Sequence, residues 1–231
     1  MLPRLRKEVA EANISLERLG LVTLTWGNVS GFDRERGLMV IKPSGVPYEQ
    51  LKPGDMVVVD LKGKIVEGRL TPSSDTPAHV ELYRNFGGIG GVTHTHSTSA
   101  TVFAQAQKEI PCFGTTHADH FHGAVPVTRL LTEAEVAHEY ERNTGRVIVE
   151  RMTGIDPQSM PAILVAGHAP FCWGKSAADS VVNSIALERV AEMALGVYCV
   201  NPDTRPLPHY LLDKHFERKH GPHASYGQKK R

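Results

Sequence analysis

Between residues 21 and 67 the chain is cut into short β-prone runs, Leu21 to Thr25, Leu38 to Lys42, Met56 to Asp60 and Lys64 to Glu67, divided by Gly, Pro and Asp. Runs so short and close together read as neighbouring strands. Lys62-Gly63 suits a tight turn between the last two, which predicts at least one antiparallel pair and a sheet that is not purely parallel. Helical periodicity frames this region. Leu5, Val9, Ala12, Leu16 and Leu19 recur at three and four residues, with Gly20 as a stop. Thr76-Pro77 opens a second helix carrying Ala78, Leu82, Tyr83 and Phe86 on one face, closed by Gly87 and Gly88. Gly91 to His96 then reads as a strand, Ser97 to Gln107 as a helix and Ala162 to Ala166 as a buried strand. The longest helix is predicted over Ala177 to Tyr198, with a broad apolar stripe of Val182, Ile185, Ala186, Val190, Met193, Ala194 and Val197, and a last one over His209 to Lys219. The expected fold is a layered α/β domain, a central mostly antiparallel β-sheet flanked by helices, formed by the chain 1–231 as a single domain.

With 41% hydrophobic and 22% charged residues, the composition supports a buried core and argues against a disordered chain. The 26 basic and 25 acidic residues leave a net charge of +1, so no overall field favours nucleic acid or an anionic membrane, and any anion must be held locally. The N-terminal stretch lacks the apolar core of a secretory signal. The longest apolar runs fall far short of the ~20 residues that span a bilayer. Cys112, Cys172 and Cys199 are widely spaced without a CxxC pair, which predicts reduced thiols used in packing and a cytoplasmic location.

The strongest local signal is Thr93-His94-Thr95-His96-Ser97. Residues two apart on a strand face the same way, roughly 7 Å apart, so two imidazoles can converge on one ion. A catalytic zinc site needs three or more protein ligands and an open position. His168, in the Gly167-His168-Ala169-Pro170 turn, and Asp75, ahead of the helix that leads to the His strand, are the candidates to complete it. Read alone, His168 is an ordinary turn histidine and Asp75 a helix cap.

Three polar turns can present backbone N–H groups to an anion: Gly27-Asn28-Val29-Ser30, Lys42-Pro43-Ser44-Gly45 and Ser73-Ser74-Asp75. Singly each is an ordinary turn; together they form a candidate phosphate pocket. Gly114-Thr115-Thr116-His117-Ala118-Asp119-His120 is dense in groups that move protons, with Asp119 the first acid/base candidate and a loop cap the competing role. Tyr226 near the C-terminus is either a phenolic acid or an aromatic anchor.

The blocks TLTWGNVS, IKPSGV, PSSDTPAH, THTHS, GTTHAD and FCWGK, with the C-terminal KHF, RKHG and YGQ, resemble the L-ribulose-5-phosphate 4-epimerase family of the class II aldolases along nearly the whole chain. The resemblance implies a class II aldolase-like fold, a homotetramer with active sites at subunit interfaces, and one divalent metal per subunit: Zn2+, with Mn2+ or Co2+ as alternatives. Carried over by motif, it implies metal ligation by Asp75, His94, His96 and His168. Gly27, Asn28, Lys42, Ser44, Gly45, Ser73 and Ser74 would hold a phosphorylated ketopentose. Asp119 and Tyr226 would be the acid/base pair, Tyr226 coming from a neighbouring subunit, with Thr115, Glu141 and His215 as supporting residues. The implied reaction breaks the bond between carbons 3 and 4 and re-forms it on the other face of the glycolaldehyde phosphate fragment, converting L-ribulose 5-phosphate to D-xylulose 5-phosphate. His120 and His122 replace aromatic residues of the family, Ala169 replaces a Gly, and three basic residues extend the C-terminus.

A fuculose- or rhamnulose-phosphate aldolase is the nearest rival. Asp75 separates the two, because family aldolases tend to carry a longer Glu that reaches as a base. A methylthioribulose-phosphate dehydratase is more remote, and from another class stands a non-catalytic assembly protein braced by bound metal.

Overall fold

Val9, Ala12 and Leu16 lie on the buried side of the first helix, α1 (Pro3–Arg18), which ends where Gly20 turns the chain with a φ of +67°. The computed structural model describes residues 1–222 and 224. After α1 come the strands β1 (Asn28–Asp33), β2 (Leu38–Ile41), β3 (Val57–Asp60) and β4 (Ile65–Glu67), then α2 (Thr76–Asn85), β5 (Gly91–His94) and α3 (Thr98–Gln105). Three helices follow, α4 (Thr115–Ala118), α5 (Glu133–Ala137) and α6 (Tyr140–Arg151). The chain then forms β6 (Ala162–Leu164), β7 (Pro170–Gly174), α7 (Ala177–Val200) and α8 (His209–His220).

The strands form one sheet in the order β4-β3-β2-β1-β5-β7-β6, every ladder antiparallel. The mixed α/β architecture with a central antiparallel sheet is the one expected. Alternate residues of β2 and β3 serve opposite faces. Met39, Ile41, Val57 and Val59 join a core with α2, α3, α6 and much of α7, while Val40 and Val58 join α1 on the other side. Both faces are therefore covered. Among the described residues no helix is long and apolar enough to cross a membrane.

Two polar devices fix α1 against the sheet. The buried Asn13 amide donates to the carbonyls of Val9 and Val29 and accepts from the Val29 N–H at 2.8 Å. The Arg6 guanidinium, also buried, donates to the Met56 carbonyl at 2.8 Å and to Glu67. Gly31 lets the helix come close, since a Cβ there would sit 2.8 Å from Leu5 and Val9.

Several sequence expectations need correction. Leu21 to Thr25 forms no strand; Leu24 adopts a φ of +54° and the segment turns, with Trp26 N–H bonded to the Thr23 carbonyl. The strand starts at Asn28, inside a stretch read as a turn, and it is central to the sheet. Gly114 to His120 contains a helical turn rather than a loop. β7 and α6 carried no prediction. Cys112 and Cys172 are buried free thiols, but Cys199 is exposed, so it does not pack in the core. The Lys229-Lys230-Arg231 tip lies outside the described residues.

Candidate metal centre and active site

β5 ends at His94, two residues short of the expected strand end, and the chain continues through Thr95 to His96 before α3 begins. β5 and β7 are sheet neighbours, and His94 pairs in register with Phe171. The turn joining β6 to β7 is therefore brought beside the end of β5, and with it His168. Gly167, at φ +72°, supplies the left-handed bend of that turn.

The three imidazoles form a near-equilateral triangle. Ring centroids are 4.9 Å apart for His94 and His96, 4.9 Å for His94 and His168, and 5.0 Å for His96 and His168. One nitrogen from each ring lies within 4.8 Å of the others, a spacing from which a single ion can be shared. His94 Nδ1 sits 2.9 Å from the Pro170 carbonyl, which can only accept, so Nδ1 carries the proton and Nε2 presents its lone pair. The ring stacks on Phe171 at 4.2 Å, which fixes its plane. The buried Nδ1 of His168 has no hydrogen-bond partner among the described residues. Burial pushes all three imidazoles toward the neutral form that binds cations, with His168 lowered to about 4 by burial and by His94.

Asp75 stands at the start of α2, where its side chain makes no helix cap. Instead it accepts from the Asn28 amide at 2.6 Å. Burial alone would raise the Asp75 carboxyl, but the His94 and His79 imidazoles and the Asn28 amide outweigh it and hold it below the usual carboxylate range. Asp75 lines one cavity with His94, His96 and His168, of about 580 Å³. Three neutral imidazoles are a donor set that suits zinc and similar divalent ions, so they fit a metal centre; the Asp75 carboxylate lines the same cavity but does not belong to the group within 4.8 Å.

The opposite wall comes from the polar turns. Ser73 N–H bonds to the Lys42 carbonyl at 3.0 Å and Ser44 N–H to the Thr71 carbonyl at 2.9 Å, which stitches the two serine turns side by side. Asn28 joins them to the metal side by donating to Ser73 Oγ at 3.1 Å. Gly27 cannot be replaced cheaply: its φ is +83° and a Cβ would meet the His94 carbonyl at 2.7 Å. Gly45 likewise turns at φ +69°. Lys42 is buried, its ammonium 4.9 Å over the Tyr48 ring, and burial lowers its pKa to about 8. Gly27, Asn28, Lys42, Ser44, Gly45, Ser73, Ser74 and Glu141 all line the same cavity.

The remaining candidates lie elsewhere. Asp119, just beyond α4, is held by α8: His215 Nδ1 is 3.1 Å from Oδ1, Arg218 reaches both oxygens at 3.1 and 2.6 Å, and Lys219 lies at 3.5 Å. The hydrogen bonds from Arg218 and His215 and the charges of Lys219 and Arg218 outweigh the effect of burial and keep the Asp119 carboxyl below its usual range. Thr115 opens the same short helix. None of Thr115, Asp119 and His215 lines the cavity. Glu141, grouped with them from the sequence, belongs to the metal cavity instead, at the start of α6. Tyr226 lies outside the described residues.

Three residues near the metal group carried no sequence prediction. Trp26 lies 6.2 Å from His96, and Tyr140 lies 6.4 Å from His168, ring centre to ring centre. His79 is fully buried behind Asp75. Its spacing of four residues from Asp75 on α2 was the available signal; nothing in the spacing of Trp26 or Tyr140 marked them.

Known proteins resemble the chain over most of its length. An L-ribulose-5-phosphate 4-epimerase UlaF of Salmonella paratyphi A is 57% identical over 226 residues, spanning 98% of this chain and 99% of that relative. Its counterpart in Salmonella typhi matches to the same extent. Among solved structures, an L-fuculose 1-phosphate aldolase superposes with a TM-score of 0.75 at 27% identity, covering 93% of this chain and 95% of the other. An l-fuculose-1-phosphate aldolase from Thermus thermophilus, at 24% identity and a TM-score of 0.68, covers 88% of this chain and 99% of its own and shares the fold. The model of the class II aldolase and adducin N-terminal domain matches residues 7–195, and with that match beside the near full-length identity the chain belongs to the class II aldolase family.

Proposed function

We propose that the protein is an L-ribulose-5-phosphate 4-epimerase, interconverting L-ribulose 5-phosphate and D-xylulose 5-phosphate. The observation that carries this reading is one cavity with Asp75, His94, His96 and His168 on one wall and two stitched serine turns with a buried lysine on the other, in a chain 57% identical to proteins of that name.

Asp75, His94, His96 and His168 would hold a divalent cation, which would supply Lewis-acid polarisation of the ketose. The chain's own residues do the rest. The Lys42 ammonium and the hydroxyls of Ser44, Ser73 and Ser74 hold the phosphate, so the fragment cut off between carbons 3 and 4 stays bound while its aldehyde turns. Retention separates an epimerase from an aldolase. Asp119, kept ionised by Arg218 and His215, takes the proton of the carbon-4 hydroxyl on one face, and Tyr226 exchanges a proton on the other.

Because Thr115, Asp119 and His215 do not line the cavity of their own chain, we assign their delivery, with that of Tyr226, to a neighbouring copy in a homotetramer. Exposed apolar side chains support assembly: Leu24 and Trp26 near the cavity, Val182, Met193 and Val200 on α7. Zn2+ is the ion we assign, with Mn2+ or Co2+ able to substitute. The three free thiols fit a reducing cytoplasm. We place the activity in pentose catabolism, such as that of arabinose, carried out by residues 1–231 as one domain.

The test is product identity. Metal-loaded protein given carbon-labelled L-ribulose 5-phosphate is expected to yield D-xylulose 5-phosphate without accumulating free glycolaldehyde phosphate. Release of the aldehyde as the main product would make it an aldolase instead.

A further inference from the structure

Lys42 follows β2 directly and is buried, yet among the described residues it forms no ion pair. Its ammonium donates to the Pro43 carbonyl over a long 3.4 Å. A desolvated ammonium held by so little is costly. What lies against it is Tyr48, whose ring centre is 4.9 Å from Nζ, inside the roughly 6 Å over which an aromatic face attracts a cation.

This choice of partner matters for an anion site. A carboxylate beside Lys42 would steady the ammonium too, but it would occupy the N–H donors and add a negative charge that repels phosphate. The ring face steadies the charge and occupies no donor, so the ammonium keeps its N–H groups for a ligand in the cavity that Lys42 lines.

Tyr48 is gripped at its other end. It is fully buried in a short 3-10 turn, Tyr48–Gln50, and its hydroxyl lies 2.7 Å from the Trp26 carbonyl and 2.8 Å from the Gly27 carbonyl. Carbonyls only accept, so the phenol donates, its one proton shared between consecutive peptides. Those peptides form the bend at Gly27 that leads into β1 and lines the same cavity. A phenylalanine would fill the core equally well; the hydroxyl adds this grip. One side chain therefore ties the turn after β2 to the turn before β1.

We propose that Tyr48 is a positioning residue for phosphate recognition: its ring carries the Lys42 ammonium and its hydroxyl pins the Trp26-Gly27 bend, so that both turns meet a phosphate monoester as one preorganised unit. The inference rests on the reading of this cavity as a phosphate pocket.

Binding of inorganic phosphate to the full chain, followed by phosphorus NMR titration at neutral pH, tests it apart from catalysis. Tyr48→Phe, which keeps the ring, is expected to raise the dissociation constant about 2–10-fold, the effect of one lost hydrogen bond. Tyr48→Leu, which loses ring and hydroxyl, is expected to raise it about 10–100-fold. KM for L-ribulose 5-phosphate should follow these factors while kcat changes much less. A merely structural role would lower the fraction of active protein and leave the phosphate constant of the remainder unchanged, and that result overturns the proposal. A double-mutant cycle with Lys42→Gln adds a second test: if the ring acts through Lys42, Tyr48→Leu costs no more than Tyr48→Phe once Lys42 is gone, whereas full additive losses overturn the role. Should Tyr48→Leu not fold, a ring-fluorinated phenylalanine at position 48, alike in shape but with a depleted ring face, replaces it. Weaker phosphate binding than in Tyr48→Phe then supports the proposal, and equal binding overturns it. Lys42→Gln protein that binds phosphate as well as wild type would sink the phosphate pocket itself, while weaker binding by Lys42→Gln with no change in either Tyr48 variant would sink only this inference.

Discussion

Lys42 and Asp119 are charged groups placed for opposite effects. Lys42 is buried with its ammonium over the Tyr48 ring, so its charge is poorly solvated, and its pKa falls to about 8. Its charge is intact below that pH and lost as the pH rises through it. We therefore expect kcat/KM for the phosphorylated ketopentose to fall above about 8, since this parameter reports groups of the free enzyme. Lys42→Gln should have a raised KM at neutral pH and lack that alkaline limb. An alkaline limb of the same midpoint in the variant would remove Lys42 from phosphate binding. Asp119 instead sits among His215, Arg218 and Lys219, which keep it an anion across the neutral range. That state suits a proton acceptor.

At the scale of elements, the site depends on the contact between α1 and β1, because β1 starts with Asn28 and pairs with the strand that ends in His94. Asn13 satisfies the Val29 N–H from the helix side. Asn13→Ala leaves that buried N–H without its acceptor, and we expect a loss of about 1–3 kcal/mol, read as a lower urea midpoint at unchanged slope. A midpoint equal to wild type would show that the amide is not needed there.

The same contact explains what could be read from the sequence. α1 and α7 were legible because Val, Leu and Ala recur on them at helical spacing, although the buried face of α7 also takes in Ser180 and Ser184 and leaves Val182 and Met193 of the predicted stripe exposed. β1 was not, because Asn28, Ser30 and Gly31 are polar or small where a buried central strand is normally apolar, and each is there for a reason outside the strand. Asn28 grips Asp75, Ser30 faces His79 and Gly31 admits α1. α6 was hidden in the same way, since it buries Asn143, Thr144 and Gly145, and a Cβ on Gly145 would meet Glu81 and Ala78 of α2 at 2.8 to 3.0 Å. Of the site, the pairing of His94 with His96 was visible in spacing alone. Their meeting with His168 depends on β5 and β7 being neighbours, which spacing does not encode and the family resemblance supplied; Asp75 lines the same cavity outside that group. Trp26, Tyr140 and His79 had no such help.

The whole molecule presents the predicted machinery in two places, the metal cavity and the Asp119 cluster on α4 and α8. A reaction that needs both within bonding reach of one substrate requires a second copy to bring them together. His96→Ala and Asp119→Asn should each lose about 10²–10⁴-fold in turnover. Exchanging subunits between the two inactive proteins should restore about a quarter of wild-type turnover under random assortment of copies, because some sites then combine an intact His96 with a neighbour's intact Asp119. No recovery, with mixed oligomers demonstrated, would place both halves of the site in one chain.

The proposal that Asp75, His94, His96 and His168 hold a divalent cation is reached directly by one measurement. Turnover of L-ribulose 5-phosphate is followed in wild type and His96→Ala, first stripped with a chelator and then resupplied with zinc, manganese or cobalt. Wild type is expected to lose activity on stripping and regain it with a divalent ion, while His96→Ala stays inactive throughout. Epimerisation that continues in stripped protein and in His96→Ala would contradict it.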